Sequence, residues 1–90
     1  MADTFLLEIV TPDKLFISEQ VEEMTAPGSE GEFGVLTGHA PLLTILKPGK
    51  LSYKIGKDTN RIAIGAGYAE VNQSKVTILT ETISQEIKQG

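Results

Sequence analysis

Leu51-Ser52-Tyr53-Lys54-Ile55 is followed by Gly56-Lys57-Asp58-Thr59-Asn60 and then by Arg61-Ile62-Ala63-Ile64, and the fold class follows from this short stretch. Leu51, Tyr53 and Ile55 alternate with Ser52 and Lys54, which is the period of two of a strand with one face on a core and the other in water. Glycine and asparagine behind it favour a turn, after which residues 61–64 form the next strand candidate. The same texture extends in both directions. In residues 4–10, Phe5, Leu7 and Ile9 share one side, and further strand candidates cover residues 14–18, 21–26, 32–36, 42–46, 68–71 and 75–79. Pro12-Asp13, Pro27-Gly28, Pro48-Gly49 and Asn72-Gln73-Ser74 supply turn chemistry between them. Parallel α/β sheets need crossovers of about a dozen residues or more, and these gaps are too short for them. The expectation is an all-β, antiparallel sandwich or barrel.

The tail changes character. Thr82 with Gln85 three residues on has the spacing of a capping box, and Ile83 and Ile87 lie one helical turn apart. Residues 83–90 are therefore expected to start a helical segment, too short to persist without packing against something.

Ninety residues suffice for one hydrophobic core, so one domain is expected. The absence of cysteine removes disulfides, thiolate metal sites and a thiol nucleophile together. A formal charge of −4 with no basic cluster argues against nucleic acid, whose phosphates are met by grouped Lys and Arg. Glu8, Pro12, Pro41 and Lys47 interrupt the apolar stretches, leaving nothing near the roughly 20 apolar residues that a membrane helix needs. The first nine residues carry Asp3 and Glu8 and no cation, unlike a secretory signal. The expected protein is soluble and reaches a membrane only through a partner.

A search for catalytic chemistry ends empty. His39 is the single histidine and has neither cysteine nor a second imidazole to share a metal. Gly65-Ala66-Gly67 has Glu70 where a dinucleotide fingerprint needs its third glycine, and strand rather than helix follows, so it reads as a bend between strands. Ser29 sits in an acidic loop, Gly28-Ser29-Glu30-Gly31, with no base beside it. Glu22 and Glu23 are adjacent, which on a strand sends them to opposite faces of a solvated edge. Asn72-Gln73-Ser74 is a turn. The expectation is a protein without cofactor or metal whose role is binding or assembly, in preference to a small β-barrel enzyme with an acidic pocket or a free-standing module for peptides or sugars.

The run Pro27-Gly28-Ser29-Glu30-Gly31-Glu32-Phe33-Gly34-Val35-Leu36-Thr37-Gly38-His39-Ala40-Pro41-Leu42 closely resembles the signature of the epsilon-subunit family of F-type ATP synthases. Val10-Thr11-Pro12-Asp13, Leu46-Lys47-Pro48-Gly49, Gly65-Ala66-Gly67-Tyr68-Ala69-Glu70-Val71 and Val76-Thr77-Ile78-Leu79 follow in that family's order and spacing, covering residues 1 to about 82. The resemblance implies a flattened antiparallel β-sandwich of about ten short strands over residues 1–82. It further implies a non-catalytic rotor subunit at the foot of the central stalk, on the cytoplasmic face of a bacterial inner membrane, joining the gamma subunit to the c-ring and coupling proton translocation to ATP synthesis. Carried over by position, Ser29, Glu30, Gly31, Glu32 and Phe33 face the c-ring, and Thr11, His39 and Thr44 face gamma. Members of the family commonly continue into a C-terminal helical hairpin. With the sequence running to Gly90, the expectation is a chain that assembles but does not inhibit through that hairpin, and that lacks the ATP binding associated with it in some members.

Overall fold

A computed structural model describes residues 3–85, which form ten strands and no helix. In chain order they are β1 (Phe5–Val10), β2 (Leu15–Val21), β3 (Glu23–Gly28), β4 (Gly31–Leu36), β5 (Leu42–Leu46), β6 (Gly49–Ile55), β7 (Asp58–Ile64), β8 (Gly67–Val71), β9 (Lys75–Thr80) and β10 (Ile83–Gln85). All-β architecture with about ten short strands is what the alternation and the resemblance led one to expect. Local boundaries differ in instructive ways.

The stretch 21–26 is not one strand. β2 ends at Val21 and the chain kinks at Glu22, whose N–H donates to the Lys54 carbonyl at 2.8 Å and whose Oε2 accepts the Gly56 N–H at 3.1 Å. Glu22 is thus a tie between the kink and the β6–β7 turn, not part of a solvated edge. That turn is two residues long, Gly56 and Lys57, with Ile55 opposite Asp58 and Gly56 at φ 59°. A positive φ at the first central position alone is the type II′ arrangement, whose twist matches that of the flanking strands. Residues 58–60 therefore pair in the ladder instead of turning. Pro27 and Gly28 likewise remain in β3, and the reversal falls on Ser29 and Glu30, with Gly28 opposite Gly31.

The largest correction concerns the tail. Ile83–Gln85 do not begin a helix; they pair antiparallel with Ile62–Ile64 of β7. An isolated turn of helix gains one backbone bond for several fixed dihedrals, whereas an open strand edge offers a ready ladder. Ile83 also packs on the core. Ile87 and the rest of residues 86–90 lie outside the described residues.

The strands follow one hydrogen-bonded path, β10-β7-β6-β3-β5-β8-β9-β1-β2, with β4 paired to β3. β3 is the corner of this path. Its residues 23–25 pair with β6, while its last residue, Gly28, pairs with Leu46 of β5. The sheet therefore folds over into two layers, β10-β7-β6-β3-β4 and β5-β8-β9-β1-β2, and β2 lies against β6 where they meet. Every pairing is antiparallel except β1 with β9, which run parallel. The expected antiparallel sandwich thus contains one parallel pair. The first strand can instead insert beside the ninth because the intervening chain is long enough to bring it round in either sense.

Both layers send alternate side chains inward to one buried cluster, including Phe5, Leu7 and Ile9 from β1, Met24 from β3, Leu51 and Tyr53 from β6, Ile62 from β7 and Val76 and Ile78 from β9. Thr80 is the buried polar residue among those described. Its Oγ1 accepts the Gly65 N–H at 3.0 Å and lies 3.2 Å from the Gly65 carbonyl and 3.1 Å from the Thr82 carbonyl, either of which can take its proton. Gly65 and Ala66 form the link between β7 and β8, as a bend at Gly-x-Gly requires. A Cβ on Gly67 would sit 1.8 Å from the Leu79 carbonyl oxygen, so only glycine lets β8 approach β9 this closely.

Candidate interaction surface

The residues singled out from the sequence fall on the β3–β4 hairpin and β5, on the β1–β2 connection and on the β4–β5 loop. Ser29, Glu30, Gly31, Glu32 and Phe33 form the tip of the β3–β4 hairpin and the start of β4. This tip is pinned to the other layer by two backbone bonds, from the Ser29 N–H to the Ile45 carbonyl at 2.9 Å and from the Lys47 N–H to the Pro27 carbonyl at 3.0 Å. Pro27 lacks an N–H, but its carbonyl is the group used here. Between the tip and β5 runs an open groove of about 1000 Å³, lined by residues 28–33, by residues 42–45 and by Tyr68.

Thr44, half-buried on β5, lines this same groove. The structure therefore brings together Glu30, Glu32 and Thr44, which the resemblance had divided between two partners. Thr11 lies elsewhere, in a shallower hollow of about 250 Å³ formed with Pro12, Leu79, Glu81 and others, and Tyr68 borders that hollow too. The two depressions thus adjoin across Tyr68. Thr11 closes the β1–β2 connection, its N–H donating to the Lys14 carbonyl at 3.0 Å. His39 belongs to neither depression. It is half-buried in the β4–β5 loop, its Nδ1 lies 2.7 Å from the Ala40 carbonyl, and because a carbonyl can only accept, that contact places the proton on Nδ1.

Sequence reasoning missed the most distinctive surface of the molecule. On the outer face of the β5-β8-β9-β1-β2 layer, Ile45 stands opposite Tyr68, Tyr68 opposite Leu79, Leu79 opposite Val10 and Val10 opposite Leu15. Five strands thus contribute one apolar side chain each to a single outward row. Ile45 is 65% exposed, Leu15 52% and Tyr68 48%, and Leu43, two residues from Ile45 on the same face, is 70% exposed. Contiguous apolar side chains left in water on an otherwise well-packed domain mark a surface that a partner covers. A signal existed in Leu42-Leu43-Thr44-Ile45-Leu46, apolar on both faces of a strand, in contrast to the strict alternation of residues 51–55.

The row ends abruptly. One step along, β5 still presents Leu43, but the outward residues of β8, β9, β1 and β2 become Glu70, Thr77, Glu8 and Ser18, and Lys75 Nζ sits 3.0 Å from Glu8 Oε1. On the opposite layer, β6 and β7 face outward with Lys50, Ser52, Lys54, Thr59 and Arg61. Among the described residues no group of His, Cys, Asp or Glu is placed to hold a metal, and no buried side-chain polar atom lacks a hydrogen-bond partner. One titratable group is clearly displaced: burial, with a smaller contribution from Glu19, raises the Tyr53 phenol above its ordinary value. The arrangement offers shape, apolar contact and an acidic rim.

Residues 4–86 match the family described as ATP synthase, Delta/Epsilon chain, beta-sandwich domain. The chain is 52% identical over 81 residues to the ATP synthase epsilon chain of Koribacter versatilis, covering 90% of this chain and 57% of that one. It is 51% identical over 82 residues to the ATP synthase epsilon chain of Geobacter metallireducens, covering 91% and 59%. It thus spans a little over half the length of these curated relatives. Among solved structures, a chain in the Euglena gracilis mitochondrial ATP synthase OSCP/F1/c-ring structure superposes with a TM-score of 0.87 at 30% identity, covering 98% of this chain and 58% of that one. A chain in the Tetrahymena thermophila mitochondrial ATP synthase central stalk/c-ring structure, at 14% identity and a TM-score of 0.77, covers 93% and 68% and shares the fold. With a sandwich of this topology and a family match over nearly its whole length, the chain belongs to the Delta/Epsilon-chain β-sandwich family of ATP synthase.

Proposed function

We propose that the chain is a non-catalytic subunit of the central stalk, joining the gamma subunit to the c-ring and coupling ion translocation to ATP synthesis. In this reading it is held at the cytoplasmic face of a bacterial inner membrane by the complex. The observation that carries it is the outward apolar row from Ile45 to Leu15, displayed on a layer whose inner face is fully packed. A coupling element must resist deformation while neighbours grip it, and a two-layer sandwich closed at a corner strand meets that requirement. The row, with Thr44 and Thr11 at its borders, is assigned to gamma, and His39 lies on the loop leading into β5. The tip carrying Ser29, Glu30, Gly31, Glu32 and Phe33 is assigned to the c-ring. Its exposed carboxylates contribute roughly 0 to 1 kcal/mol each, so they orient the contact, and buried apolar area supplies most of the affinity.

Mixing the chain with purified gamma tests the first contact. Co-elution as a one-to-one complex is expected, and failure to associate at micromolar concentrations would overturn the assignment. For the second, Glu30→Lys with Glu32→Lys is expected to weaken c-ring association most at low salt. Unchanged association across the salt series would retire the ring-facing role of the tip.

A further inference from the structure

The outer face of β3, β6 and β7 carries a depression of quite different character from the groove. Lys54 on β6 stands opposite Glu23 of β3 on one side and Thr59 of β7 on the other, and the next outward position, Ser52, stands between Thr25 and Arg61. Glu23, Thr25, Ser52, Lys54 and Thr59, with Tyr53, line a hollow of about 200 Å³, and Arg61 borders it beside Ser52. Pockets for drug-sized ligands run to roughly 300 to 1,000 Å³, so an occupant here is small. Three strands each contribute one hydroxyl, from Thr25, Ser52 and Thr59. Among the described residues these hydroxyls, the Lys54 ammonium and the Arg61 guanidinium take part in no hydrogen bond or ion pair, and Lys54 makes none even with Glu23 directly opposite. The donors are scattered between positions 25 and 61, and the register of three strands gathers them.

We infer that this hollow binds a single phosphate group, free or carried by a small phosphorylated molecule. A tetrahedral anion presents acceptors in several directions at once, which suits hydroxyl donors arriving from three strands. Lys54 and Arg61 supply charge-assisted bonds, the guanidinium as a planar fork and the ammonium as a point charge. Two cations against the one carboxylate of Glu23 favour an anion over a cation. Glu23 opposes the ligand and holds the affinity down, to a dissociation constant on the order of a few millimolar. The site takes one phosphate and not the row of phosphates that nucleic acid presents. It lies on the layer opposite the outward apolar row, so the inference is independent of the central-stalk reading.

Titration of the isotopically labelled chain with inorganic phosphate, at ionic strength held constant with chloride, tests the site by the shifts of its backbone amide signals. Saturable movement centred on Thr25, Ser52, Lys54 and Thr59 is expected. Lys54→Gln and Arg61→Gln are each expected to weaken binding roughly threefold to tenfold, and Glu23→Gln to strengthen it roughly twofold or more. Lys14→Gln removes the same charge from the other layer and is expected to bind as wild type, which separates a local site from the effect of net charge. Thermal melts confirm that each variant is folded. Glycerol 3-phosphate in place of inorganic phosphate identifies the source: equal or tighter binding indicates a phosphate monoester, and much weaker binding the free ion. Shifts that grow without saturating, that chloride reproduces, or that respond to Lys14→Gln as strongly as to Lys54→Gln overturn the inference, as does weaker binding by Glu23→Gln.

Discussion

The outer faces of the β6–β7 hairpin and of the β5-β8-β9-β1-β2 layer are built on the same pleat and carry opposite chemistry. On β6 and β7 the outward positions are Lys50, Ser52, Lys54, Thr59 and Arg61, whereas on β5, β8, β9, β1 and β2 one outward row is Ile45, Tyr68, Leu79, Val10 and Leu15. The inner faces are alike, closing on a single core. Inward alternation therefore explains why the chain folds and is silent about what it does. The outward break in alternation on one layer is what folding leaves unexplained, because nothing in the fold requires Ile45 or Leu43 to be apolar when they are 65% and 70% exposed.

The most drastic way to break the contrast is to separate the strands that display the row. In Gly67→Ala the new methyl would lie 1.8 Å from the Leu79 carbonyl oxygen, so β8 and β9 are pushed apart between Tyr68 and Leu79. A loss of about 3 kcal/mol or more is expected, seen as a melting temperature lower by roughly 12 to 24 °C. The contrast is tested directly by a matched pair of exposed substitutions. Ile45→Asp is expected to lower gamma affinity roughly tenfold or more, while Arg61→Glu on the other layer leaves it within about twofold, with both variants within about 0.5 kcal/mol of wild-type stability. Equal effects from the two would remove the distinction between the faces.

Smaller changes probe what both faces rest on. Thr80→Val keeps the shape but removes the hydroxyl shared by Gly65 and Thr82. Because the Gly65 N–H retains the Thr82 carbonyl at 3.0 Å, a loss of only about 1 kcal/mol is expected in denaturant titration, with Thr80→Ser near wild type. Tyr53 supplies the smallest effect near neutral pH. Its folded-state pKa is raised above the ordinary 10.0, so the stability linked to it is fully present below pH 10 and is lost as pH climbs through the folded value. Melting temperatures measured between pH 9 and 11 should fall more steeply for wild type than for Tyr53→Phe.

Much of the fold was legible because a period of two is a local signal, and Phe5, Leu7, Ile9, Leu51 and Tyr53 report it directly. What escaped was set by distant chain. Thr82 and Gln85 satisfy a helix-start pattern, yet the open edge of β7 outbids it and draws Ile83–Gln85 into the sheet. Glu22 looked solvated because Gly56, whose N–H it accepts, lies far along the sequence. The site was half legible. Residues 29–33 and Thr44 stand out in the motif-bearing run and just after it, but that they line one groove depends on the corner at Gly28 and Leu46. The apolar row went unseen because Val10, Ile45 and Leu79 lie far apart in the sequence, and only the register of five strands shows them aligned on the outside.

The parallel pairing of β1 with β9 fixes the order in which this protein can mature during synthesis. β1 can zip onto β2 early, since the two are joined by a short connection, but its other edge stays unfilled until residues 75–80 have left the ribosome. Leu7 and Ile9, fully enclosed in the finished domain, are consequently among the last to be sealed. A nascent chain paused before β9 exposes a half-made hairpin with a bare edge, the form most prone to stray pairing with other chains.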